Sequence, residues 1–247
     1  MNNFDVKKIV GNTPHMALDQ ADRLTSFMEK YQVKDILELG FAHGVSTSYM
    51  AAALSRGGGG SIVTIDIEGA RQREPNIETL LESIGESVRV KIYYEPTSYT
   101  WRLMKFLEQD PQPKFDLCYL DGAHNWFVDG FAFFLVHLLL KPGGWIIFDD
   151  LNWSYDISPS LRNSEFVKNM PKDERETPQV RKIYELLVKS HPDFCNYQVD
   201  GSWAYAQKRS KSEDNATERE VIVETVVHRE YYGLGRFLAR VASKIVK

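Results

Sequence analysis

Apolar and polar positions along this chain alternate between short strand-like runs and longer stretches of helical period. Met16–Tyr31 sets Leu18, Ala21, Leu24, Thr25 and Met28 on one helical face with charges between them, which predicts an amphipathic helix after a loose N-terminal arm of about ten residues. A short strand over Asp35–Leu39 ends at Gly40, and the loop Phe41-Ala42-His43-Gly44 leads into a helix over Val45–Ser55. Gly57–Gly60 close that helix. Ser61–Ile65 reads as a second strand ending on Asp66, Ile77–Ile84 as a helix stopped at Gly85, Val88–Tyr94 as a third strand and Thr97–Gln109 as a helix.

The pattern is most informative between Asp116 and Trp153. The apolar run Phe115–Leu120 stops at Asp121, a helical segment follows, Lys141-Pro142-Gly143-Gly144 breaks it, and Trp145–Phe148 stops on Asp149-Asp150. Strand, helix, turn and strand make a βαβ unit with a right-handed crossover and parallel strands. Asp121, Asp149 and Asp150 are thereby expected at one edge of the sheet, the carboxyl ends of the strands, where open α/β sheets bind ligands. Beyond Trp153 a polar, irregular segment runs to about Thr177. Pro178–Ser190 then shows helical period, and Phe194–Gln198 and Trp203–Gln207, joined at Asp200-Gly201, read as an antiparallel edge hairpin. The expected fold is α/β: a doubly wound, mostly parallel seven-stranded Rossmann-like sheet with an antiparallel edge hairpin and a C-terminal helical appendage. The expected divisions are an arm and helix over 1–34, the main domain over 35–208, and a linker with an amphipathic helix over 209–247. In that last helix Leu234, Phe237, Leu238, Val241 and Ile245 share a face while Arg236, Arg240 and Lys244 recur at four-residue spacing, which leaves open packing on the domain, packing on a second subunit, or contact with an anionic membrane surface.

Composition narrows the classes. With 247 residues, 43% hydrophobic and 26% charged, the chain suits one soluble domain with an ample core. A net charge of −4 argues against a nucleic-acid partner. The two cysteines, Cys118 and Cys195, are no disulfide framework, and the N-terminal stretch has no apolar signal-peptide core, so the cytoplasm is the expected compartment.

The first two strand ends suggest a nucleoside ligand. Gly40 permits a backbone conformation closed to other residues, and Gly44 is expected to let a ligand approach the helix start. Asp66 can accept both hydroxyls of a ribose. A dinucleotide loop would read G-x-G-x-x-G; this one is G-x-x-x-G with Glu38 two positions ahead of it. A carboxylate there repels a pyrophosphate and favours a ligand carrying an ammonium or sulfonium. That disfavours the alternative of an NAD(P)-linked oxidoreductase, and the acidic edge disfavours a non-catalytic nucleoside-binding protein.

ILELGFAHGVSTSYMA, IVTIDIE, FDLCYLDGAH and LKPGGWIIFDD, in this order and spacing, resemble the successive motifs of class I S-adenosylmethionine-dependent methyltransferases. The branch they most resemble is the metal-dependent O-methyltransferases of the catechol and macrocin O-methyltransferase type, over roughly Pro14 to Lys208. The resemblance implies that Glu38, Gly40 and Gly44, with Ser46 in the first helical turn and Asp121, line the cofactor S-adenosylmethionine, and that Asp66 holds its ribose. It places the family's metal ligands on Asp121, Asp149 and Asp150. The third strand ends Tyr94-Glu95-Pro96-Thr97, unlike the usual turn, so no adenine contact is assigned.

The residues agree with that chemistry. Carboxylate oxygens are hard ligands that suit Mg²⁺ or Mn²⁺, and such a cation lowers the pKa of an acceptor hydroxyl and orients it. His124, three residues past Asp121, is the expected catalytic base beside it. Trp126 and Trp153 flank the site in sequence, where they either stack on a sugar or aromatic ring or pack in the core. The sequence therefore points to methyl transfer onto a hydroxyl of a small molecule or glycan, by a chain that could form a homo-oligomer.

Overall fold

The computed structural model describes residues 1–210; the amphipathic face from Leu234 to Ile245 lies outside them. In chain order the elements are α1 (Asn3–Val10), α2 (Leu18–Lys30), β1 (Asp35–Leu39), α3 (Val45–Arg56), β2 (Ser61–Ile67), α4 (Ile77–Ile84), β3 (Val90–Glu95), α5 (Tyr99–Leu107), β4 (Phe115–Leu120), α6 (Trp126–Leu139) and β5 (Leu140–Phe148). Then come the short α7 (Glu165–Lys168) and α8 (Lys172–Glu176), α9 (Gln179–Ile183) with a π-helical turn over Tyr184–Val188, β6 (Phe194–Asp200) and β7 (Trp203–Lys208).

The strands form one seven-stranded sheet in the order β3-β2-β1-β4-β5-β7-β6. β1 to β5 are parallel, while β7 pairs antiparallel with both β5 and β6. Strand order reverses between β1 and β4, which places the topological switch point, the usual ligand crevice of such sheets, at Gly40 and Asp121.

Both faces are covered, and the period of two within each strand divides the core. Ile36, Leu117, Tyr119, Trp145, Ile147 and Trp203 pack against α1 to α4; Leu37, Leu39, Cys118, Leu120, Ile146 and Phe148 pack against α5, α6 and α9. This two-sided burial is why the strands read as apolar runs rather than as alternation. Among the described residues no helix is long and apolar enough to cross a membrane.

Two expectations change. The N-terminal arm is the helix α1, capped by the Asn2 side chain on the Asp5 amide at 2.9 Å; it buries Val6 and Val10, and Asn3 bonds Asp22 and Thr25 at 2.7 Å each. The Lys141–Gly144 break belongs to β5, which pairs Leu140 with Phe115 and absorbs the irregularity as a register shift before Leu117.

Candidate functional site

The glycine loop owes its glycines to the protein itself. Gly40 has φ +88°, and a side chain there would collide with the Asp121 carbonyl and Gly122, so β1 and β4 close on one another at the switch point. Gly44 has φ +89°, and a side chain there would meet Ile77, so its missing Cβ is needed for α4 to pack against the loop. Asp66 clasps the loop from β2. Its Oδ2 accepts from the amides of Phe41 at 2.9 Å and Ala42 at 2.7 Å, and Oδ1 accepts from Ile67 at 2.7 Å. The carboxylate stays partly exposed, with acceptor capacity to spare.

Glu38 differs from its expected role. It is fully buried, Oε1 accepting from Ser46 at 2.5 Å and Oε2 from Thr47 and Thr64 at 2.6 Å each. Burial pushes its pKa up to about 7 against the pull of the three hydroxyls. Glu38 and Ser46 thus satisfy each other inside the β1–α3–β2 layer, and no carboxylate faces the loop's solvent side from position 38.

At the acidic edge, the amide of Asp121 bonds the Leu39 carbonyl at 2.9 Å and the amide of Asp149 bonds the Leu120 carbonyl at 3.0 Å, so the three strand ends are fixed to one another. The side chains then divide. Asp121 and Asp150 point outward and converge with His124, their ligand atoms all within 4.8 Å of one another. His124 Nε2 lies 3.1 Å from Asp150 Oδ2 and 3.4 Å from Asp121 Oδ1, buried and with no N–H aligned on either oxygen. Burial alone would lower the imidazole pKa; the two carboxylates overcome it and hold it at about 10. Asp149, expected as the third outward carboxylate, turns inward. It is 5% exposed and accepts a short hydrogen bond from the Tyr119 hydroxyl and one from the Asp150 amide at 2.6 Å. Burial and the nearby Asp121 charge raise its pKa to about 7. The physical reason for the split lies in the backbone: Asp150 has φ +53°, which reverses the chain directly after Asp149.

Backbone strain gathers here. Of the six non-glycine residues with positive φ among the described residues, Ala42 and Asp150 flank the two strand ends and His124 sits between them. Support for the His124 turn comes from residues that the sequence pattern did not single out. The Tyr99 hydroxyl donates to fully buried Asp129 and accepts from the Ala123 amide at 3.2 Å, while Gly122 leaves room for the Tyr99 ring. An aspartate in the first turn of so apolar a helix was the available signal. Trp153 packs on His124 with ring centroids 5.0 Å apart, and Trp126, 37% exposed, opens α6 beside it. On the glycine-loop side His43 bonds the Pro75 carbonyl at 2.7 Å and stacks on His15. Burial and Arg73 lower the His15 pKa, whereas Asp121 and Asp150 pull it up, which puts the Pro14–Met16 turn within electrostatic reach of the acidic edge.

A second convergence, His137, His191 and Asp193, lies at the opposite end of the sheet. It is closed by a 2.8 Å His137–Asp193 contact, and the ammonium of Lys208 sits beside it on the His137 carbonyl at 2.6 Å, so it has none of the uncompensated charge of the acidic edge.

Comparison with known proteins follows the same outline. Residues 37–151, from β1 to just past Asp150, match the family model described as a methyltransferase domain. The O-methyltransferase from Bacillus cereus in complex with SAH is 22% identical, with a TM-score of 0.60 over 84% of this chain and 90% of that one. The O-methyltransferase TomG from Streptomyces achromogenes, involved in tomaymycin synthesis and solved with SAM, is 18% identical, with a TM-score of 0.59 over 84% and 89%. SAH-bound methyltransferase PaMTH1 from Podospora anserina is 17% identical, with a TM-score of 0.59 over 83% and 86%. These likenesses establish the fold. Among curated proteins none matches this sequence.

Proposed function

We propose that this chain, whose residues 37–151 match the methyltransferase-domain model, transfers a methyl group from S-adenosylmethionine to a hydroxyl oxygen of a small molecule or sugar, with a divalent metal ion at the acidic edge. The observation that carries the reading is the convergence of Asp121, His124 and Asp150 at the switch point, next to the loop that Asp66 clasps.

The donor set fits a hard dication. Two outward carboxylates and one buried imidazole nitrogen with no aligned hydrogen bond meet at one place, and among the described residues only the imidazolium offsets their charge at close range. Asp121 and Asp150 would hold the ion, with His124 beside them. Asp149, behind them on Tyr119, does not reach outward, a revision of the three-aspartate set. A bound Mg²⁺ or Mn²⁺ supplies a Lewis acid that lowers the pKa of an acceptor hydroxyl.

The chain's own residues do the rest. Asp66 would accept the ribose hydroxyls and the Gly40–Gly44 turn would cradle the methionine half; Glu38 acts from inside, keeping β1, α3 and β2 in register. Asp121 and Asp150 orient the acceptor oxygen toward the methyl donor, and holding the two partners in line accounts for much of the rate. His124, held as an imidazolium by Asp121 and Asp150, would take the hydroxyl proton only from its neutral form, which a dication offsetting those two carboxylates favours. Trp153 beside His124 offers a ring face to a sugar or aromatic acceptor.

Calorimetry separates this from a dinucleotide enzyme. S-adenosylhomocysteine should bind and NADH should not. Asp66→Ala should weaken S-adenosylhomocysteine by roughly 1.5–3 kcal/mol, the value of hydrogen bonds to a charged group. Binding of NADH, or affinity unchanged by Asp66→Ala, would overturn the assignment.

A further inference from the structure

Every exposed residue of α6 is apolar. Phe127, Phe131, Phe134 and Leu138 are 73%, 56%, 43% and 49% exposed, and Trp126 stands at the start of the helix. The only ionisable side chains on α6 are Asp129, which is buried, and His137, half-buried against Asp193. The four exposed residues recur at spacings of four, three and four, which draws one straight stripe along the outer face. A helix on the surface of a soluble protein carries polar residues there; one that is apolar all round is normally covered. The stripe amounts to roughly 400 Å² of contiguous apolar surface, enough to mark an interaction site.

We infer that the stripe is the centre of a homodimer interface, α6 packing antiparallel against α6 of a second copy about a two-fold axis. A two-fold contact needs a self-complementary patch. Antiparallel pairing supplies it, since Phe127 of each copy meets Leu138 of the other and Phe131 meets Phe134. Charge fixes the direction. Around Phe127 the surface is lined by Asp173 and Glu174 with Lys182, while around Leu138 Lys114 donates to the Leu138 carbonyl at 2.8 Å, and Lys208, on the carbonyls of His137 and Leu140, offsets Asp193. Antiparallel packing brings the acidic end of each copy to the basic end of the other. An anionic membrane surface would instead meet Asp173 and Glu174 with like charge. The stripe supplies about half of the roughly 800 Å² per partner of a standard interface, and the segments around Asp173 and Lys114 at its two ends supply flanking surface.

Sedimentation equilibrium of the full chain tests this. Wild type should dimerise with a dissociation constant in the micromolar range, and Phe131→Glu should raise that constant at least tenfold with an unchanged circular dichroism spectrum. Because one substitution in an apolar helix could act through folding, a charge swap gives a second reading. Lys114→Glu should weaken the dimer, and adding Asp173→Lys and Glu174→Lys to it should restore the affinity. A wild-type chain that stays monomeric at about 100 μM, or a dimer indifferent to both sets of changes, overturns the inference. So does a monomer that floats with anionic vesicles as wild type and stays in solution as Phe131→Glu, which would assign the stripe to a membrane surface.

Discussion

The two ends of the same three strands carry acids in opposite electrical states. At the amino end of β1 and β4, Asp35 and Asp116 share the Lys141 ammonium at 2.7 and 2.9 Å, and Asp116 also accepts from the amides of Lys34 and Asp35. Burial there would raise the Asp116 pKa, but Lys141 and the two amides hold it below the usual value. At the carboxyl end of β1, β4 and β5, Glu38, Asp121, Asp149 and Asp150 gather with His124 as their one close cationic partner among the described residues. Glu38 and Asp149 are pushed up to about 7 and the imidazole to about 10. One end is a finished ion network that stabilises the fold; at the other the two outward carboxylates, Asp121 and Asp150, share a single imidazolium. Uncompensated charge in a crevice is the mark of a site built for a ligand rather than for stability.

The largest test of that contrast lies inside the carboxyl end. Glu38→Ala leaves three buried hydroxyls without their acceptor and should cost about 4 kcal/mol in urea denaturation, while Glu38→Gln, which keeps the shape, should cost about half as much. Equal, small losses would mean the carboxylate is not the hub that joins β1, α3 and β2.

Next in size is the dependence on pH in the absence of metal. Glu38 and Asp149 keep their protons in the folded state up to about pH 7, whereas in the unfolded chain they lose them near pH 4; His124 keeps its proton to about pH 10 against 6.5 unfolded. In both windows the folded state binds more protons, so these groups make stability fall as pH rises from roughly pH 5 to pH 9. Asp149→Asn should flatten the lower part of that slope. A melting temperature that climbs from pH 5 to pH 9 in metal-free protein would contradict the assignment.

Much of this was legible in the sequence, for physical reasons that differ by element. Strands buried on both faces announce themselves as apolar runs, and Gly40, Asp66, Asp121 and Asp150 mark where those runs stop. His124 was legible because it lies three residues past Asp121 in the loop at the same sheet edge. The inward turn of Asp149 was not, because it depends on Tyr119 on the neighbouring strand and on the reversed backbone of Asp150. Nor was the burial of Glu38, since its partners come from α3 and from Thr64 on β2. α1 was hidden because eight residues with three charges among them give a weak pattern, and packing against the neighbouring helices decides it.

The smallest effect belongs to the amino end. Asp116→Asn should cost about 1 kcal/mol at neutral pH, since the pair with Lys141 is partly exposed. Because the folded pKa of Asp116 is depressed, that contribution is present above the unfolded pKa and fades as pH falls through the folded value, so wild type and variant should converge in acid. Urea denaturation at neutral and at strongly acid pH checks it.

The most direct measurement of the central claim is Mn²⁺ binding followed by electron paramagnetic resonance, with S-adenosylhomocysteine present. The account predicts one saturable site per chain, lost when Asp121→Asn and Asp150→Asn are combined and kept in Asp116→Asn. Saturable binding that survives the double substitution, or no binding to the wild-type chain at all, would contradict it.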